Sequence, residues 1–376
     1  MGESQKRSNA KWMKYAVLGG SLVVGGVFGG MIGRLLKSAE TSGVDTPWWA
    51  ILTILPSTWL VVAWHELGHA VGGWWSGLQM ILFMAGPLKI VREGDALRWR
   101  YNDNLTAWGG LAAMAPLGGK RLDAPVMRQA MIRVVAGGPL FSFLGAVLLL
   151  VPAYLMLGKE PGWVTPVLGF PGAMSLLIGI LTLVPNSAGG YKSDGLRLLM
   201  FFRGDGATAT RWCNLATLSG LSQTMRPRDW PEDMLLGCGA VEGDRSHDGV
   251  SAAWLQATYY EDRRELEKAR TWVLEAVEGA ESWPELARPY LSVAAAAIHA
   301  RLGDATTARR YADEVREGGL LQKFSKLYTE ALVLEAEGRA GEARAAAEGA
   351  LREIGKQPKG TQLAAREDLE RILTLA

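Results

Sequence analysis

At 376 residues, with 49% apolar and 21% charged side chains and a formal net charge of +2, the chain is too long for one small domain and too apolar for a disordered segment. Residues 1–250 carry 22 Lys and Arg against 17 Asp and Glu, and residues 251–376 carry 18 against 21, a balance without the basic patch of a nucleic-acid binder. Two cysteines, Cys213 and Cys238, exclude a disulfide framework and lack zinc-finger spacing, so they read as reduced, unpaired thiols.

The chain opens on a basic tail, residues 1–14, containing Lys6, Arg7, Lys11 and Lys14. Tyr15 to Leu36 follows as an apolar run too long for a signal peptide and without a convincing cleavage site, so it reads as a retained span. Gly25, Gly29 and Gly33, with Gly26 and Gly30, give it a flat face for close helix packing. Four basic residues precede this span, whereas Arg34 and Lys37 after it are accompanied by Glu40 and Asp45, which places the amino terminus in the cytoplasm.

Trp48 to Gly77 is a second apolar run of spanning length, yet it holds His65, Glu66 and His69. Helical spacing puts the two histidines one turn apart on one face, so both imidazoles can point at one metal ion, with Glu66 placed to take a proton from a metal-bound water. Ionisable groups in apolar surroundings are costly unless something coordinates or pairs with them, which favours metal binding over a chance match.

Leu78 to Tyr101 reads as a β-hairpin turning at Gly94 and Asp95, with Leu97, Trp99 and Tyr101 alternating on one face. Two roles fit it: an edge at Ile90 and Val91 that holds an extended substrate by strand addition, or a plain cap on the membrane domain. Residues 105–125 read as a glycine-rich apolar loop, either lying at the membrane surface or re-entering it. A third span, Met131 to Leu157, contains Gly137, Gly138 and Pro139, and its proline kink is expected to face the site, because lipid cannot satisfy the freed carbonyl. A fourth, Trp163 to Val184, returns to the cytoplasmic side and brings Asp194 to the face where His65 and His69 lie. Two imidazoles and one carboxylate leave a position for water, as in a hydrolytic zinc site. The competing reading makes Ser193-Asp194-Gly195 a helix-capping turn.

Together, the HELGH of a span, the Gly138-Pro139-Leu140 of a later span and the Asp194-Gly195 after a proline-containing span end resemble the site-2 protease family of intramembrane zinc metalloproteases, over roughly residues 48–200. The resemblance implies that His65, His69 and Asp194 bind zinc and that Glu66 is the general base. Two departures bear on substrate positioning. Eight residues separate Pro185 from Asp194, with Asn186 after the proline, and Ser142 stands where the family often has Asn. Asn186 or Ser142, beside Gly138 and Pro139, are the candidates for polarising the scissile carbonyl.

Residues 196–222 read as helix along the cytoplasmic surface, and residues 222–249 as an irregular linker in which His247, next to Asp248, is a solvent-exposed or capping residue. Beyond it, three segments rich in Ala, Leu, Glu and Arg resemble one another, with Ala269, Ala308 and Ala343 at equivalent places 39 and 35 residues apart. This is close to the period of tetratricopeptide repeats, which the segments resemble and which generally bind peptides or proteins. A purely stabilising or dimerising solenoid is the competing reading. His299, on an alanine-rich face, reads as packing.

The expected architecture is therefore mainly α: a polytopic membrane helical bundle of about four spans over residues 15–221 with a small β-hairpin insertion, a linker at 222–249 and a soluble tetratricopeptide-like domain at 250–376. The expected function is that of an intramembrane zinc metalloendopeptidase using Zn2+ to cut a membrane-anchored protein or peptide. It would sit in the lipid bilayer of a bacterial inner membrane, with the amino terminus and the repeats cytoplasmic, and take no nucleic acid. The alternatives are a membrane scaffold of protease-like fold presenting the repeats, and zinc-dependent processing of a soluble peptide at the membrane face.

Overall fold

A computed structural model describes residues 52–93, 96–102, 109–116, 122–156, 164–188, 191–203, 206–222, 225–285, 287–315, 321–354 and 360–374. The expected basic tail, the first span and its glycine face lie outside these residues.

Helix α1 (Ile54–Trp75) carries the HELGH segment and ends where Gly77 adopts φ +75°, a left-handed value suited to glycine. Four antiparallel strands follow: β1 (Gln79–Ala85), β2 (Leu88–Glu93), β3 (Ala96–Tyr101) and β4 (Leu111–Ala115), in the order β3-β2-β1-β4. The stretch Leu78 to Tyr101, expected as one hairpin, thus supplies three of the four strands of a larger sheet. Leu111 to Ala115, expected to be loop, is its fourth strand, and Ile90 and Val91 lie in an interior strand, flanked by β1 and β3. Phe83, Ala85 and Met114 of the sheet share a core with Ala70 of α1 and with Met127, Ala130 and Val134 of the next helix.

That helix, α2 (Ala124–Met156), starts earlier than expected and contains Pro139 and Pro152. From Pro125 to Met156 it is long and apolar enough to cross a membrane. A π-helical turn at Thr165–Gly169 leads into α3 (Phe170–Leu183), whose 14 residues rise roughly 21 Å, short of a full hydrocarbon core. A short hairpin, β5 (Ser187–Ala188) and β6 (Tyr191–Lys192), then delivers the chain to α4 (Asp194–Arg203) and α5 (Gly206–Leu221), two helices in place of the single one expected.

The 222–249 segment is packed rather than loose. It contains α6 (Glu232–Gly237), and its Trp230, Met234, Leu235 and Cys238 are buried with Leu215 and Leu218 of α5. Cys213 and Cys238 are both buried and neither forms a disulfide, in line with the sequence. Three helix pairs follow: α7 (His247–Asp262) with α8 (Leu266–Glu278), α9 (Pro289–Arg301) with α10 (Ala305–Asp313), and α11 (Lys323–Ala336) with α12 (Ala340–Glu353). A seventh helix, α13 (Gly360–Thr374), closes the module. Ala269, Ala308 and Ala343 are buried at the matching place in each pair, where a larger side chain would separate the helices. Each pair turns through a left-handed residue, Arg264 (φ 62°), Gly303 (φ 80°) and Gly338 (φ 76°). The one non-glycine of the three is held by an ion pair from Arg264 to Asp368 at 2.8 Å. Arg226 of the connector reaches Asp262 at 2.7 Å and also Glu367, tying the first and last helices of the module together.

Candidate metal centre

α1 and α2 meet backbone to backbone, which only glycine allows. A methyl on Gly68 would lie 2.2 Å from the Gly137 carbonyl oxygen, and one on Gly72 2.2 Å from that of Arg133. This closeness brings α2 against the imidazoles: a methyl on Gly138 would lie 2.4 Å from His69 Nε2 and 2.8 Å from His65 Nε2. Gly138 therefore makes room for the histidines, and Pro139 lies buried beside it within α2.

Both histidines are fixed through Nδ1. His69 Nδ1 lies 2.8 Å from the Val134 carbonyl oxygen, one turn upstream of Pro139. A carbonyl can only accept, so Nδ1 carries the proton and Nε2 keeps its lone pair free. His65 Nδ1 pairs with Ser142 Oγ at 2.8 Å, and Ser175 of α3 in turn donates to the Ser142 carbonyl at 2.8 Å. Ser142, one of the two candidates for polarising a substrate carbonyl, is here the residue that orients His65. Such support of the far ring nitrogen is what metal-bound histidines ordinarily have.

Asp194 arrives from the other side. Of the eight residues between Pro185 and Asp194, Ser187 and Ala188 pair with Tyr191 and Lys192 as β5 and β6, and Asn186 and Ser193 close the base of the hairpin: Ser193 N–H donates to the Asn186 carbonyl at 2.9 Å. Ser193 Oγ accepts from Asn186 N–H at 2.9 Å and from Leu196 N–H at 3.2 Å, and donates to the Val184 carbonyl at 2.8 Å. The extra length thus leaves and rejoins the chain at nearly one point. Gly195 completes the fit, since a methyl there would lie 1.8 Å from the Leu183 carbonyl oxygen. Asn186 is brought next to Asp194 by its backbone pairing with Ser193.

The outcome is a compact triangle of donor atoms. His65 Nε2 lies 3.2 Å from His69 Nε2, and Asp194 Oδ2 lies 3.3 Å from the first and 3.5 Å from the second. Around a tetrahedral zinc with bonds of roughly 2.0–2.2 Å, ligand atoms stand roughly 3.3–3.6 Å apart, so these three fit one face of such a tetrahedron. His65, Glu66 and His69 also form a buried group able to hold a metal ion, their ligand atoms lying within 4.8 Å of one another. Two carboxylates therefore compete for the third position, and Asp194, close to both nitrogens, suits it better. That leaves Glu66 beside the centre, where it accepts a hydrogen bond from the Ala112 backbone N–H of β4.

The sequence offered no sign of the Val134 carbonyl or the Ala112 N–H, because backbone partners carry no residue signature. Arg197, close enough to act electrostatically on Glu66 and His69, was within reach. It lies three residues after Asp194, on the same side of α4. His247 sits at the start of α7 beside Asp248, and His299 packs in the repeat core with its Nδ1 3.2 Å from Asp304, so neither belongs to the centre. No protein-family model, curated protein or solved structure matches the chain.

Proposed function

We propose that the chain is an intramembrane zinc metalloendopeptidase of the site-2 protease type, with His65, His69 and Asp194 as ligands and Glu66 as general base. The observation that carries this reading is the triangle formed by the two Nε2 atoms and Asp194 Oδ2, with edges of 3.2, 3.3 and 3.5 Å. At least one of those nitrogens is an unprotonated acceptor facing a carboxylate, an arrangement that a shared divalent cation stabilises. When bound, zinc would supply Lewis acidity and a water acidified to about pKa 7. Glu66 takes the proton of the attacking water and hands it to the leaving amine. Ala112 N–H holds that carboxylate in place. Ser142 and the Val134 carbonyl keep the imidazoles from rotating away.

A membrane setting is supported by α2 and by the apolar surface around it. Leu140, Leu144, Val147, Leu148, Val151 and Leu155 of α2 are exposed, as are Ile180 and Leu183 of α3 and Leu60 of α1. Contiguous apolar surface of this kind needs a cover, and lipid is the one this reading assigns. We read α1, α2 and α3 with the amino-terminal run as a polytopic bundle, the amino terminus and the repeats being cytoplasmic. The substrate is a membrane-anchored protein or peptide. Its extended backbone would add to β4, an edge strand next to Glu66, rather than to β2.

The test is made on purified full-length protein. About one zinc per chain is expected, lost in Asp194→Ala, while Glu66→Gln keeps the metal and abolishes cleavage of membrane-anchored substrates, read by comparing membrane proteomes of wild-type and variant cells. Cells with Glu66→Gln that match wild type, when deletion of the repeats changes the phenotype, would establish the scaffold reading in its place.

A further inference from the structure

Two of the three ligands sit one turn apart on a single helix, so α1 alone fixes their separation. The third does not share that security. Asp194 begins α4 directly after a hairpin of two residues per strand, and so small a hairpin is not stable by itself. Whatever steadies the flank of that hairpin also steadies the third ligand.

The flank is held from the repeat module. Ser246 caps α7, accepting from Gly249 N–H at 3.1 Å, and Asp248 lies in the first turn of that helix. Asp248 Oδ1 accepts from Lys192 Nζ at 3.0 Å, and Oδ2 accepts from Trp212 Nε1 at 2.7 Å. Lys192 lies in β6, two residues before Asp194, and pairs across the hairpin with Ser187. Trp212 belongs to α5 and meets Phe201 of α4 edge to face, with ring centroids 5.4 Å apart. One carboxylate of the repeat module therefore grips both the hairpin that precedes the ligand and the helix that packs on α4. Both partners of the ion pair are only 20% exposed, so solvent screens it less than a surface pair. A parallel pair, Arg211 to Asp244 at 2.8 Å, seats the start of α7 on α5.

We propose that Asp248 is a positioning residue for the metal centre, holding Lys192 so that β6 and the Ser193 clasp present the Asp194 carboxylate to His65 and His69. The inference rests on the metal-centre reading above. It makes the first helix of the repeat module part of the apparatus that assembles the centre, so that whatever displaces α7 loosens the third ligand.

The test uses the full-length protein in detergent micelles, with metal affinity measured by competition against a chromogenic chelator and ligand geometry by the visible spectrum of the Co2+-loaded form. Asp248→Asn and Lys192→Gln are each expected to weaken metal affinity roughly tenfold, the low end for residues that support a ligand indirectly, and to shift the Co2+ bands. Asp248→Glu, which keeps the charge, is expected to recover most of the affinity. Wild-type affinity and spectrum in both Asp248→Asn and Lys192→Gln would overturn the proposal. Should Asp248→Asn unfold the repeats, Lys192→Gln lies outside the module and decides alone, an unchanged affinity being the overturning result. A wild-type protein that binds no metal overturns the centre itself, a separate outcome visible before any variant is made.

Discussion

The two halves of the molecule bury charge in opposite ways. In the repeat module buried ions have a countercharge supplied by the protein: Arg301 lies at 2.5 Å from Asp368 and also pairs with Glu261, and Asp262 pairs with Arg226 at 2.7 Å. In the amino-terminal half Glu66 and Asp194 are buried beside two imidazoles, and no Lys or Arg among the described residues makes an ion pair with either, although Arg197 stands close enough to act on Glu66. The first arrangement is self-contained and reads as architecture. The second could hold a cation from outside the chain, and that openness separates a candidate site from a core.

The comparison breaks most sharply if the external cation is taken away. Asp194→Ala is expected to reduce bound zinc from about one per chain to none, measured by elemental analysis of purified protein. The same substitution is expected to leave the far-UV helical signal of the repeats in place. Next in size, Glu66→Gln is expected to lower cleavage by a factor of about 10² to 10⁴ with the zinc content unchanged, read as product formation from a membrane-anchored substrate. In the self-contained half, Arg301→Met strands Glu261 and leaves Asp368 with Arg264 alone, and is expected to destabilise the module by about 3–5 kcal/mol in denaturant unfolding, with no change in metal content. A zinc loss in that variant would mean that the two halves are not separable in this way.

The smallest expected effect is one of pH. Burial pushes the Asp248 carboxyl up, but His247, Lys192 and Trp212 together hold it below its ordinary value. A depressed carboxylate adds stability above its unfolded pKa, about 3.9, and loses it as the pH falls through the lower folded value. Thermal unfolding of the full-length protein is therefore expected to gain nothing from this group between pH 7 and about 5 and to decline below about pH 4. In Lys192→Gln, where the folded value lies closer to the unfolded one, the decline is expected to be smaller and to end at higher pH.

Much of this was legible from residue types and spacing. His65, Glu66 and His69 announce a metal site because helical periodicity fixes their geometry locally, and Ala269, Ala308 and Ala343 announce helix pairs because close packing demands small residues. Asp194 could be joined to the histidines only through topology and family resemblance, since nothing local links positions 65 and 194. β4 escaped notice because Leu-Ala-Ala-Met-Ala lacks the β-branched and aromatic residues that mark strands. The connector escaped for a similar reason: proline, glycine and charge masked Trp230, Met234 and Leu235, whose burial is decided by α5 and α7 rather than by their own neighbours in sequence. The contact of Ser142 with His65 at 2.8 Å was not legible, because a hydroxyl near a site can serve substrate or scaffold and the residue type does not say which.

The glycine seam between α1 and α2 has a consequence for how closely the glutamate is enclosed. With bare backbones touching at Gly68 and Gly137, nothing can slip between those two helices at that point. Another glycine presses on the glutamate itself: at Gly110, whose φ of +98° favours glycine, even one methyl would sit 2.5 Å from Glu66 Oε1. Enlarging Gly110 should therefore disturb the setting of the carboxylate before it disturbs the rest of the fold.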